Sequence, residues 1–276
     1  MTSDDDDAAL EDLLATVFAR YHYDFRQYAR ASLRRRVAAA VQRFGDADVP
    51  ALTRRVAGDA AAFATMLPYL TLQVSDLFRD PSYFRSFREQ IAPILATYPS
   101  RRLWVAGCST GEEAYSLAII LKEEGLLARS RIYATDINPE SLRAAEAGVY
   151  ALDRLRAFSA NHRLSGARCA LSEHYTAAYD HAVFDRSLRE HIVFADHSLA
   201  TDSVFAEVEV VSCRNVLIYF DRALQGRAVG LFRDALTRRG FLGLGPRETL
   251  RFSDHADAFA PFVEADRWYR KLEARP

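Results

Sequence analysis

Apolar residues recur three and four positions apart through the first third of the chain. Leu10, Leu13, Leu14, Val17 and Phe18 share one face of a helix; Phe25, Tyr28, Leu33, Val37 and Val41 repeat the pattern until Gly45 stops it. Shorter helical stretches follow over 48–57 and 58–69, and Asp80-Pro81 opens another, a capping residue ahead of proline at the first helical position. "ATYPSRR" (96–102) breaks the periodicity. Beyond it, short apolar runs at 103–106, 131–135, 191–195, 208–212 and 240–245 read as strands. They alternate with helices over 112–124, 139–147 and 221–238, and 268–272 reads as a last edge strand.

This order predicts an α/β fold with a largely parallel sheet behind a small all-helical N-terminal domain. Residues 149–190 carry short strand-like pieces and predict a small antiparallel β insertion. The expected organisation is a disordered acidic tail over 1–7, a helical domain over 8–96, a linker over 97–102 and a sheet domain over 103–276.

Composition narrows the function classes. Half of the 276 residues are hydrophobic and the net charge is −1, so any electrostatic recognition must come from local patches. Cys108, Cys169 and Cys213 show no CxxC spacing and are odd in number, which argues against a disulfide framework and for a reducing cytoplasm. No apolar run approaches a membrane span, and the acidic "MTSDDDD" start is unlike a signal peptide.

"LWVAGCSTGEEAYSLA" (103–118) places a strand, a glycine turn and a helix in the order that holds a nucleotide in doubly wound folds. Gly107 and Gly111 allow close backbone approach, and Ser109 and Thr110 are candidate helix caps. The GxxxxGK[ST] phosphate loop is absent. Glu112 and Glu113 would repel a pyrophosphate at that helix end, which favours a donor with cationic groups and no phosphate, S-adenosylmethionine. In "RIYATDINPESL", Asp136 ends the second strand, where a carboxylate accepts ribose hydroxyls; the alternative is a cap for the next helix.

"VAGCSTGEEAYSLA", "YATDINPESL", "SCRNVLIYFD" (212–221) and "LQVSDLFRDPSYF" together resemble the CheR-type chemoreceptor glutamate methyltransferases, in the family's order from about residue 22 to the end. The resemblance implies a class I (Rossmann-like) methyltransferase. Such an enzyme esterifies glutamates on the cytoplasmic methylation helices of chemotaxis receptors and releases S-adenosylhomocysteine. It places Gln73, Ser75, Arg79, Gly107, Glu113, Asp136, Ser198, Leu199, Cys213 and Arg214 at the donor, with Arg79 and Tyr219 at the transfer centre. Gln73 stands where the family has asparagine, Ser198 where it has asparagine or aspartate, and Leu77-Phe78 where Phe-Phe is common.

Methyl transfer to an ionised carboxylate needs alignment more than acid–base help, and positioning contributes roughly 7–11 kcal/mol in favourable cases. No nucleophilic triad is spaced in the chain; His174, His181, His191 and His197 are scattered, and no metal is expected. Seven arginines lie between residues 20 and 44 against a single acid, Asp24. Arg26, Arg30 and Arg34, four apart, predict a basic helix face. The resemblance implies docking of a glutamate-bearing receptor helix there; the alternative is a surface balanced by the acidic tail. A basic helix also suits nucleic acid, but there is no (D/N)PP(Y/F) box and no interleaved aromatic platform, so none is expected. A donor-binding signalling module without transfer activity is the third reading.

Overall fold

The computed structural model describes residues 3–71, 73–251 and 253–273. Four helices open the chain: α1 (Ser3–Tyr21), α2 (Arg30–Phe44), α3 (Val49–Gly58) and α4 (Ala60–Leu70). Their apolar faces meet in one buried cluster that includes Leu13, Val17, Phe25, Val37, Leu52 and Met66. The tail expected over 1–7 is helical from Ser3, and residues 1 and 2 lie outside the described residues. Asp7 pairs with Arg34 and Glu11 with Arg30, so the acidic start is anchored to α2 rather than frayed.

Next come α5 (Pro81–Ser86), a π turn (Phe87–Ile91) and α6 (Ala92–Leu95). Pro93 has no N–H for the helical ladder, which accounts for the wide turn just before it. The boundary expected at 96 falls instead after α4. Leu77, Phe78, Tyr83, Phe84, Phe87 and Leu95 are buried in one cluster with the sheet, not with α1–α4. Periodicity marks the apolar face of a helix but not the partner that covers it.

The sheet domain runs β1 (Arg101–Ala106), α7 (Glu112–Glu123), β2 (Ser130–Asp136), α8 (Pro139–Ala147), β3 (Val149–Ala151), α9 (Leu152–Leu164), β4 (Tyr175–Ala178), β5 (His181–Phe184), α10 (Arg186–Arg189), β6 (Ile192–Asp196), β7 (Val208–Cys213), α11 (Arg222–Ala235), β8 (Leu236–Leu244), β9 (Phe259–Val263) and β10 (Trp268–Lys271). Seven strands pair in the order β6-β2-β1-β7-β8-β10-β9, and β3-β5-β4 form the small antiparallel sheet expected in the insertion. The pairings among β6, β2, β1, β7 and β8 are parallel; β10 is antiparallel to both neighbours. β10 was expected at the edge, but β9 pairs outside it. Strand β7 is buried along its whole length, as a strand covered on both faces must be. No helix among the described residues is long and apolar enough to cross a membrane.

From β1 the chain first extends the sheet through β2 and β6, then returns to β1's other side with β7. That reversal opens a crevice beyond the carboxyl ends of the strands. The helical domain docks beside it. Ala29 N–H donates to the Tyr219 carbonyl (2.7 Å), Asp221 N–H donates to the Gln27 carbonyl (2.8 Å), and the Tyr28 and Phe220 rings meet edge to face.

Candidate functional site

The crevice begins where β1 ends. Gly107 has φ +72°, and a Cβ there would lie 2.4 Å from a Val216 methyl. Gly111, at φ +92°, caps α7 without a side-chain hydrogen bond, so Ser109 and Thr110 are not the caps expected of them. Ser109 instead turns its N–H onto the Asp136 carboxylate (2.8 Å), whose other oxygen accepts from Asn138 N–H (2.9 Å). Asn138 itself caps α8, so the capping role open to Asp136 in the sequence is already filled. Burial raises the Asp136 carboxyl above its usual range, against the opposing pull of these N–H groups. Each oxygen keeps lone pairs for a ligand hydroxyl.

The two glutamates of α7 diverge. Glu112 is fully buried, paired with Arg154 (2.9 Å) and the Thr110 hydroxyl (2.7 Å), away from the crevice. Glu113 lines it, accepting from Ser212 Oγ (2.5 Å) and Arg214 Nη1 (3.0 Å). A single carboxylate therefore faces the ligand from this helix end, not two. The Arg214 side chain is 1% exposed, bonds Asp80 (2.7 Å) and the Arg79 carbonyl (2.8 Å), and lies over the Tyr83 ring.

Gln73, Ser75, Arg79, Leu199, Arg214 and Tyr219 also line the cavity. The Gln73 carbonyl oxygen accepts from Ser109 and Ser141, and its amide donates to Thr71. The Arg79 guanidinium bonds only the Val74 carbonyl (3.2 Å) and has no carboxylate partner among the described residues. Tyr219 sits in a 3₁₀ turn (Leu217–Tyr219), not the strand its apolar neighbours suggest. Two expected residues are absent from the wall. Ser198 lines a neighbouring depression and bonds Asp202 and Ala200; Cys213 is buried at the end of β7, its thiol pushed well up by desolvation.

Three residues escaped the sequence reading. Arg36, 6% exposed, lines the cavity with its guanidinium over the Tyr219 ring (4.5 Å). Its Nη1 bonds the Leu70 carbonyl, while Nε and Nη2 are buried without partners among the described residues. His197 also lines the cavity with a buried, unpartnered Nδ1. Glu248 accepts N–H groups of Asn215, Val216, Leu217 and Gly245 at 2.6–3.0 Å and so shapes the loop that carries Tyr219. Arg36 was visible only as one of seven arginines, and nothing local distinguishes Glu248.

The expected basic face is also corrected. Arg26 precedes α2, pairs with Asp24 and covers the Phe18 ring, so it does not share a helix face with Arg30 and Arg34. All three are paired with this chain's own carboxylates.

The cavity suits S-adenosylmethionine on three counts. Gly107 brings bare backbone to the wall, Asp136 and Glu113 offer acceptors, and His197 has a buried nitrogen with no partner among the described residues. Residues 73–265 match the family model described as "CheR methyltransferase, SAM binding domain", and residues 8–71 match "CheR methyltransferase, all-alpha domain". The chain is 51% identical to a protein of Pseudomonas putida named "Putative methyltransferase Cher3", over 98% of this chain and all of that one. It is 28% identical to a chemotaxis protein methyltransferase of Listeria innocua, covering 82% of this chain and 84% of the relative. It is 29% identical to one of Salmonella typhimurium, covering 74% and 67%.

Proposed function

The chain belongs to the CheR family of S-adenosylmethionine-dependent methyltransferases, and on that premise we propose that it esterifies glutamate side chains on the cytoplasmic helices of chemotaxis receptors. One observation carries the acceptor class. The cavity that holds Glu113 and Asp136 also holds two guanidinium groups, Arg36 and Arg79, that no carboxylate neutralises among the described residues. Arg36 is buried, and a buried, uncompensated charge costs several kcal/mol that an incoming carboxylate would remove. An anionic acceptor is therefore favoured over a neutral or cationic one. The chemotaxis names of the relatives support the receptor as its source.

In this reading Asp136 takes the donor's ribose hydroxyls and Glu113 its amino end, while Gly107 leaves room for the chain to lie against them. The donor supplies a methyl group on a sulfonium. The acceptor glutamate is ionised near neutral pH, so no general base is required. Arg36 and Arg79 orient its oxygens, Tyr219 offers a hydroxyl donor, and Glu248 holds the Tyr219 loop in place.

The test is incubation with methyl-labelled S-adenosylmethionine and a glutamate-rich receptor cytoplasmic fragment, followed by mild base. Release of the label as volatile methanol is expected. Base-stable label, on the fragment or on nucleic acid, would overturn the reading, as would donor binding without any transfer.

A further inference from the structure

At the end of α7 remote from the donor cavity, four side chains converge that the methyl-transfer reading does not use. Glu123, in the last turn of α7, points one oxygen at the insertion. His162 Nε2 of α9 lies 2.9 Å from it, His174 Nε2 3.2 Å and Cys169 Sγ 3.3 Å. Cys169 Sγ and His174 Nε2 are themselves 3.3 Å apart. The Glu123 and His174 side chains are 2% and 3% exposed, and Cys169 is half-buried at the solvent side.

One oxygen, one imidazole nitrogen and one sulfur thus form a nearly equilateral triangle with edges of 3.2–3.3 Å. Zinc bonds of about 2.0–2.3 Å at tetrahedral angles place ligand atoms roughly 3.3–3.6 Å apart, so this triangle approximates one face of such a site. Mixed thiolate, imidazole and carboxylate ligands suit zinc-like ions rather than calcium or magnesium, which prefer oxygen. We propose that Glu123, Cys169 and His174 bind a divalent transition-metal ion of the zinc class, with His162 holding the carboxylate in position.

The surroundings are consistent with this ion. Arg88 bonds the other Glu123 oxygen (2.6 Å), which fixes the carboxylate plane, and its charge is shared with Glu124 (2.7 Å). The Glu123 carboxylate and a Cys169 thiolate balance a divalent charge. Without metal the thiol stays protonated, because burial and then the Glu123 carboxylate raise it to about 11. Binding forms a metal–sulfur bond and releases the thiol proton to solvent, so affinity rises with pH. His174 frees Nε2 by carrying its proton on Nδ1, which has no partner among the described residues. The ion would clamp α7 to the segment before β4, joining the insertion to the sheet domain.

Cobalt(II) is the probe. Full-length protein stripped by chelator dialysis and titrated with Co²⁺ is expected to bind one equivalent, develop a thiolate-to-cobalt charge-transfer band and release a proton. Zn²⁺ should displace the cobalt. Cys169→Ser should abolish the band while keeping the circular dichroism and S-adenosylhomocysteine affinity of the parent; His174→Ala should weaken binding at least tenfold. Absence of the band in the folded parent, or its survival in Cys169→Ser, would overturn the proposal and leave the cluster a hydrogen-bonded clasp.

Discussion

Glu113 and Arg214 form a 3.0 Å ion pair between α7 and the loop after β7, with the arginine side chain 1% exposed. The same glutamate is the carboxylate that α7 turns to the donor cavity. Donor recognition and the packing of the SCRN loop therefore share one side chain.

Glu113→Gln should lower both properties together. Breaking a buried pair costs about 3–5 kcal/mol, here reduced because Asp80 still contacts Arg214. The unfolding midpoint should fall, and S-adenosylhomocysteine affinity should drop at least tenfold by calorimetry. Adding Arg214→Met should recover stability without recovering affinity. Unchanged affinity in the single variant would remove Glu113 from the donor site.

Gly107→Ala should act on the ligand as much as on the fold. The left-handed φ of +72° costs a residue with a side chain about 1–2 kcal/mol, and the new methyl would press on Val216. Donor affinity should fall more than tenfold. Gly107→Ala with Val216→Ala keeps the backbone cost but removes the clash, so partial recovery would separate the two effects.

Arg36→Met distinguishes acceptor from donor contacts. Loss of a preorganised donor to a reacting anion costs about 2.7–4 kcal/mol, so kcat/KM for the receptor fragment should fall roughly 10²–10³-fold. Affinity for S-adenosylhomocysteine should stay within about threefold, ~0.7 kcal/mol. Arg30→Ala with Arg34→Ala should change KM far less, because those charges are exposed and already paired. Equal losses in both variants would argue for general electrostatic attraction.

Glu123 makes acid sensitivity measurable. Burial raises its carboxyl, but hydrogen bonds from His162 and His174 and the Arg88 charge outweigh burial and hold it below the ordinary value of 4.5. A depressed folded-state pKa contributes stability that is complete above the unfolded value and is lost as pH falls through the folded one. In chelator-containing buffer, Glu123→Gln should be less stable than the parent near neutrality by several kcal/mol. The gap should narrow progressively below pH 4.5. A gap that stays constant down to the acid transition would contradict this assignment.

The local code of the chain determined most of its elements. Apolar spacing places α1, α3, α4 and α7, and short apolar runs bounded by turn residues place β1, β2 and β7, because burial of a repeating face is a local property. Gly107, Glu113 and Asp136 were legible for a related reason: a strand–turn–helix unit brings its own ligand-facing residues to one strand end. The family resemblance added Arg79 and Tyr219, which local pattern alone does not single out.

Tertiary structure decided which residues share a space. It assigned α5 and α6 to the sheet core, covered Arg30 and Arg34 with the acidic α1, and moved Ser198 and Cys213 off the cavity wall. It also brought Arg36 across from the helical domain to Tyr219, and Glu123 to histidines and a cysteine 39–51 residues away in sequence. Charge neutralisation, burial and ligand geometry depend on distance through space, and periodicity along the chain carries that information only for neighbours on the same helix or strand.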